Sequence, residues 1–313
     1  MTHQLNSTLP TADLELDAVR AARAWLITAG AGDLTEEIAA YIAELGPVAA
    51  RQQLLERTAP AGVAALLDAD RALDHTLNVG EGIGARLVIP EDVEWPAALR
   101  AEGILAPVGL CVRGTPRLDQ VLDHAVTVVG SRASTAYGEH VASELGHGFA
   151  RAGWTVVSGG GYGIDAAAHR GAIAAAEGGA VTAEGPTVVV AAGGLDRPYP
   201  SAHAALFERI AGDGGLLVSQ APLGAAPTNV RFRRRSALMV ALTAGAVVVE
   251  AAARSSALSA VHAAQAIGRP VFAVPAPVTL ACSVGCHVLL SSGEARLVTG
   301  AADVMSALTA RSA

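Results

Sequence analysis

From Asp13 to about Ala72, alanine, leucine and isoleucine recur at three- and four-residue spacing, the period of a helix with one buried face. The pattern breaks at Gly30-Ala31-Gly32, Gly46-Pro47 and Pro60-Ala61-Gly62. This spacing predicts a small bundle of short helices, with Asp33-Leu34-Thr35-Glu36 supplying the capping chemistry of one helix start. From Arg86 the pattern changes to short apolar runs. Leu87-Val88-Ile89 and Val108 to Val112 predict strands, the second ending in a turn at Arg113-Gly114, and Trp95 to Leu99 predicts a turn or short helix. A boundary near residue 82 follows, dividing the chain into a helical accessory domain (1–82) and a second domain (83–313).

In the second domain, apolar runs at 126–129, 154–157, 187–192, 216–219, 246–250 and 271–274 alternate with helical stretches. The helices are predicted at 137–152, 165–176, 203–211, 235–243 and 257–267, before a terminal unit through Val304. Strands that are apolar throughout, separated by helices, imply a mostly parallel sheet covered on both faces. The fold class is therefore α/β: a Rossmann-like, doubly wound sheet preceded by a small helical domain. Ligands of such folds sit beyond the carboxyl ends of the strands.

Two of these runs empty into glycine-bearing loops, the first into Gly130-Ser131-Arg132 and the second into Ser158-Gly159-Gly160-Gly161-Tyr162-Gly163-Ile164-Asp165. Where a strand ends in small residues and a helix follows, backbone N–H groups and the helix dipole favour an anion. The pair suggests one anion-binding ledge. The second loop is G-x-G-x-G rather than the dinucleotide fingerprint G-x-G-x-x-G, which disfavours an ordinary NAD enzyme. Four glycines within five positions exceed the needs of a turn and imply close approach of a ligand.

Composition narrows the chemistry. All 22 basic residues are arginine, so a Walker A loop, a pyridoxal Schiff base and the kinase strand lysine are each unavailable. The net charge of −7 is uneven: residues 1–125 carry 9 arginines against 18 acidic residues, and residues 126–313 carry 13 against 11. A polyanion is expected on the second part. No apolar run approaches the roughly 18 to 20 residues of a membrane span, and the polar, acidic N-terminus lacks signal-peptide character. A cytoplasmic protein without membrane attachment is expected. Cys111, Cys282 and Cys286 are too few for a disulfide framework, and Cys282-xxx-Cys286-His287 has the wrong spacing for a zinc knuckle, so neither a metal nor a cofactor is expected.

Two constellations remain. Asp165 can cap the helix it opens, with His169 one turn further along the same face. They could act as an acid/base pair, or His169 could hydrogen-bond the loop and hold it rigid. No nucleophile is visible beside them, and no catalytic residue is assigned. The dense basic cluster Arg231-Phe232-Arg233-Arg234-Arg235 joins arginines suited to phosphates with an aromatic face suited to an unpaired base. The alternative is a solvated arginine run at a helix start, where a bound anion would relieve the opposition between cations and dipole.

In this order, the elements resemble the DNA-processing protein A family (DprA, also called Smf). The resemblance rests on Gly130-Ser131-Arg132 with Tyr137-Gly138, Ser158 to Asp165 with His169-Arg170-Gly171-Ala172, and Gly194-Leu195-Asp196-Arg197-Pro198-Tyr199-Pro200 with His203. It extends through Arg231-Phe232 with Arg235, Val249-Glu250-Ala251 with Arg254-Ser255, and Gly268 to Pro275, with Trp95-Pro96 and Val112-Arg113-Gly114 preceding the sheet. It covers roughly residue 90 to the end and is only topological over the N-terminal helices.

The family implies a non-catalytic, dimeric protein that binds single-stranded DNA, protects it, and loads the RecA recombinase during natural transformation. By position, Arg132 with Gly130, Ser131 and the Gly159-Gly160-Gly161 loop would hold phosphates. Phe232 would meet a base and Arg235 would add a backbone contact; Arg231 and Arg234 are the further expected nucleic-acid-binding residues, and Asp165 and His169 would support the loop.

The chain departs from the family pattern at Ser236 and Ala237, where an asparagine and an arginine are usual, and at Gln220, Ser256 and Ala276. It is thus a divergent member, and no C-terminal winged-helix domain is expected after Val304. The competing reading is a nucleotide-binding or nucleotide-hydrolysing enzyme of the related LOG (lysine-decarboxylase-like) fold. That family's P-G-G-x-G-T-x-x-E signature is missing. A third reading is an interaction protein whose pocket has decayed.

Overall fold

The computed structural model describes residues 11–30, 35–67, 82–101, 103–179 and 185–312. The N-terminal periodicity resolves into α1 (Thr11–Ala29), α2 (Glu36–Leu45), α3 (Pro47–Leu55) and α4 (Ala61–Leu66). Thr35 caps α2, its hydroxyl accepting the Ile38 N–H at 3.3 Å. The expected cap partner Asp33 lies outside the described residues.

The rest of the chain alternates strand and helix: β1 (Ala85–Val88), β2 (Leu110–Arg113), α5 (Leu118–Val121), β3 (Ala125–Gly130), α6 (Ala136–Arg151), β4 (Thr155–Ser158) and α7 (Ile164–Glu177). There follow β5 (Thr187–Val190), α8 (Ala204–Gly212), β6 (Leu216–Ser219), α9 (Asn229–Ala241), β7 (Ala246–Val249) and α10 (Leu258–Ala266). The last elements are β8 (Val271–Ala273), α11 (Val284–Ser291), β9 (Arg296–Leu297) and α12 (Ala301–Ser312).

The strands form one sheet in the order β1-β2-β6-β5-β4-β3-β7-β8-β9. From β6 to β9 every pairing is parallel, and β1 and β2 extend the β6 edge as an antiparallel pair. All residues of β4, β5, β6 and β7 are buried, as strands covered on both faces require. Alternate side chains divide between the faces. Val126 and Val128 pack with Leu145, Phe149 and Ile164 of α6 and α7. Val129 and Val248 belong to the other cluster, with Leu238 of α9 and Val261 of α10.

The N-terminal helices share a core with the sheet. Ile27 and Leu54 cluster with Ile173, Val189 and Leu217, and two bidentate arginines pin α1 to the segment after β1. Arg20 meets both Asp92 oxygens at 2.7 and 2.8 Å, and Arg23 meets both Glu91 oxygens at 2.6 and 2.8 Å.

Two features position the site. The strand order reverses at β3, which pairs β4 on one side and β7 on the other, so the loops after β3, β4 and β7 converge at the carboxyl edge of the sheet. The helix expected from Arg235 also begins six residues earlier, at Asn229, because Thr228 caps it by accepting the Arg231 N–H at 3.2 Å. The arginine run therefore forms the first two turns of α9. Helical spacing puts Phe232 and Arg235 on one face and Arg234 on another.

Candidate nucleic-acid interface

Phe232 and Arg235 on α9 meet Arg132 from the β3 loop across the carboxyl edge of the sheet. The Arg132 guanidinium carbon lies 5.0 Å from the Phe232 ring centroid and that of Arg235 lies 5.7 Å from it. One ring therefore carries two cations, with its quadrupole attracting both. Together with Gly160, Gly161, Tyr162, Tyr199 and Phe207 they surround a cavity of about 50 Å³ floored by Val189 to Ala192 at the end of β5.

Arg235 reaches under the glycine loop, where Nη1 lies 3.7 Å from Asp165 Oδ2. Both side chains are 12% exposed. Burial pushes the Asp165 carboxyl above its ordinary range, and the Arg235 charge opposes that shift; burial likewise lowers Arg235, and Asp165 opposes it. Among the described residues, Arg235 Nε is buried without a hydrogen-bond partner.

The glycines answer to internal packing. A methyl group on Gly159 would overlap the Arg235 guanidinium, one on Gly160 would overlap the Phe207 ring, and one on Gly130 would overlap the Val249 carbonyl. Gly163 has φ +69° and sits against the Ser131 and Arg132 carbonyls. Gly161 is the least crowded of the loop's four, its nearest neighbour being Asp165 Oδ2 at 3.0 Å. The glycine density expected to mark ligand approach is thus used mainly to seat protein groups.

The loop's polar groups are also held from within. Gly161 N–H donates to Asp165 at 3.2 Å. His169 Nε2 lies 2.9 Å from the Gly159 carbonyl, which can only accept, so Nε2 carries the proton. Its Nδ1 lies 2.6 Å from the Thr187 hydroxyl, which also contacts the Val156 carbonyl at 2.9 Å. Burial lowers His169 to about 4, keeping it uncharged. His203 Nδ1 supports the next carbonyl, Gly160, at 2.9 Å. Both sequence-derived supports, Asp165 and His169, hold the loop.

The remaining sequence-derived residues separate. Arg231 turns to the Ala226 carbonyl at 2.8 Å, away from the cavity. Arg234 lines a different cavity of about 250 Å³ behind α9, with Leu99, Ile104, Ala237 and Leu238. Cys286 and His287 face different partners, the thiol approaching the Val248 carbonyl and the imidazole meeting the Ala276 carbonyl at 2.9 Å.

Sequence reasoning assigned no role to Tyr162, Tyr199, His203 or Phe207. Tyr162 and Tyr199 are about half exposed at the cavity mouth. The Tyr199 ring lies edge-on to Phe232 at 5.8 Å, and Tyr162 lies edge-on to His203 at 4.7 Å. Their usable signal was scarcity, since the chain holds only 4 tyrosines and 4 phenylalanines.

A profile of the family described as DNA recombination-mediator protein A matches residues 86–309, from β1 to α12. The chain belongs to the DNA recombination-mediator protein A family. A Mycobacterium tuberculosis relative named as a DNA processing protein, DprA, is 43% identical over 298 residues, covering 91% of this chain and 74% of the relative. Streptococcus pneumoniae DprA is 36% identical over 201 residues, 64% of this chain and 67% of its own length.

The X-ray structure of DNA processing protein A from Streptococcus pneumoniae superposes with a TM-score of 0.73 at 26% identity, over 92% of this chain and 97% of that one. Helicobacter pylori DNA processing protein A, whose structure is described for its single-stranded DNA binding mode, shares the fold with a TM-score of 0.60 at 24% identity, covering 72% of this chain and 97% of its own. The mixed α/β fold with a mostly parallel sheet and N-terminal helices is thus that of DNA recombination-mediator protein A. Among the described residues, no helix is long and apolar enough to cross a membrane.

Proposed function

We propose that this protein binds single-stranded DNA in the groove between the glycine loop and α9, and that as a homodimer it protects incoming strands and loads RecA during natural transformation. The observation that carries the reading is the Phe232 ring flanked by Arg132 and Arg235, an unpaired-base platform with two cations beside it. The buried Arg235 Nε supplies a donor that a phosphate or base oxygen would satisfy. Family membership and the Helicobacter relative described for single-stranded DNA binding support the same reading.

In this reading Arg132 and Arg235 meet backbone oxygens and Phe232 meets a base. Gly130, Ser131 and Gly159 to Gly161 form the wall that seats them, and residues 83–313 carry the function. Arg231 and Arg234 stand outside the cavity lining and contribute charge rather than pocket contacts. The protein acts without catalysis, and Asp165, His169 and His203 beside the glycine loop are engaged in holding it.

The test is titration of fluorescent single- and double-stranded oligonucleotides across a salt series. Preference for single strands and an affinity that falls with salt, at a slope of about 0.7 per phosphate contacted, are expected. Equal affinity for both forms, or unchanged affinity in Arg132→Ala and Phe232→Ala, would defeat the assignment. RecA loading is tested separately by filament formation on single strands coated with a single-strand binding protein.

A further inference from the structure

Glu250 directly follows β7 at the point where the strand order reverses, is 1% exposed, and has φ +55°, the left-handed region that side chains other than glycine rarely occupy. Its side chain turns back to the start of α6. Oε2 accepts the Thr135 N–H at 2.9 Å and Oε1 accepts the Thr135 hydroxyl, while that hydroxyl's oxygen accepts the Gly138 N–H at 3.2 Å. The backbone carbonyl of Glu250 accepts the Ser131 N–H at 2.8 Å. One residue thus binds both ends of the 131–135 segment that carries Arg132. A methyl group at Gly138 would overlap the Glu250 carboxylate, so the first turn of α6 leaves space that this carboxylate fills.

That position has a known chemistry in doubly wound folds. The helix after the first strand of the parallel sheet points its free N–H groups and positive dipole end at the switch point, where a dinucleotide's pyrophosphate sits. Here β3 and α6 are that strand and helix. We infer that Glu250 is an internal stand-in for phosphate: its carboxylate occupies the anion position of α6 and closes it to free phosphate and nucleotides, leaving arginine side chains to meet any phosphate at this edge. The left-handed backbone is the cost of turning the carboxylate inward. A second acid on the same turn, Glu139, is engaged by the Ser134 hydroxyl at 2.8 Å, sits at the rim, and stays in every variant below. The inference does not depend on DNA being the protein's ligand.

Glu250→Gly removes the carboxylate and suits the left-handed backbone, whereas Glu250→Gln fills the same space without charge. Inorganic phosphate is titrated into each ¹⁵N-labelled protein while the Thr135 and Gly138 amide signals are followed. Glu250→Gly is expected to show saturable shifts at phosphate concentrations at least tenfold below the highest that leaves wild type and Glu250→Gln unmoved. A folded Glu250→Gly protein without those shifts, or equal shifts in Glu250→Gln, overturns the inference. If Glu250→Gly does not fold, wild type decides: saturable phosphate shifts at Thr135 and Gly138 would overturn the inference, and unmoved signals would uphold it.

Discussion

Arg235 and Asp165 form an ion pair at 3.7 Å, directly beneath the glycine loop, with little of either side chain reaching solvent. Removing one member strands the other charge. Arg235→Met is expected to cost about 3–5 kcal/mol, measured as a lowered urea midpoint with an unchanged m-value. Adding Asp165→Asn to that variant should recover much of the loss, since the buried carboxylate is then neutral. If the double variant is no more stable than Arg235→Met alone, the pair is not what the loop rests on.

The arrangement of Arg132 on Phe232 predicts non-additive binding defects. Phe232→Ala should weaken single-strand binding by about 1–3 kcal/mol, the usual range for losing a stacked base. Because the ring also places Arg132, the Arg132→Ala, Phe232→Ala double variant should lose less than the sum of the single losses. A double-mutant cycle from oligonucleotide titrations measures this, and strict additivity would show that the two residues act apart.

The loop glycines should divide by what they touch. Gly160→Ala places a methyl group against Phe207 and is expected to destabilise the protein by about 1–3 kcal/mol through overpacking. Gly161→Ala meets Asp165 Oδ2 at 3.0 Å and otherwise only atoms at 3.5 Å or beyond, and should cost less than Gly160→Ala. Differential scanning calorimetry ranks them, and a reversed order would contradict the packing described here.

His169 gives the stability a pH signature. Its folded value is depressed to about 4, while in the unfolded chain an ordinary histidine titrates near about 6.5. As pH falls through this window, the unfolded state takes up a proton that the folded state refuses. Stability is therefore lost on acidification from about pH 6.5 to 4, by about 3 kcal/mol in all. His169→Gln should be less stable at neutral pH but show a shallower acid slope. Parallel urea-midpoint profiles for the two proteins would remove His169 as the source.

The parallel sheet was legible because its strands are apolar on both faces, and the runs at Val126 and Ala246 needed no partner to be recognised. The antiparallel β1–β2 edge was legible as two strands, but its docking on β6 was not. Cys111 opposite Ser219 is a pairing across 108 positions of chain that no local pattern encodes. The start of α9 was placed six residues late because the Thr228 cap that fixes it is a single hydroxyl contact, with no apolar periodicity in the arginine run that follows. The glycine loop was found for its composition, but its purpose required coordinates: the neighbours that demand Gly159 and Gly160 are Arg235 and Phe207, from α9 and α8. Glu250 was visible only as part of a motif, because an inward-turned carboxylate depends on a backbone angle.

The shared core of the N-terminal helices and the sheet also sets an order of events during synthesis. Ile27, Leu54 and Leu67 wait for Ile210 and Leu217, about 150 residues downstream of Leu67, before their apolar faces can be fully covered. At a synthesis rate of about 5–20 residues per second, the wait is on the order of ten seconds or more. These helices thus leave the ribosome well before their core can be completed. During that interval the nascent chain carries an exposed apolar face, so its efficiency of maturation should respond to translation speed across residues 68 to 217.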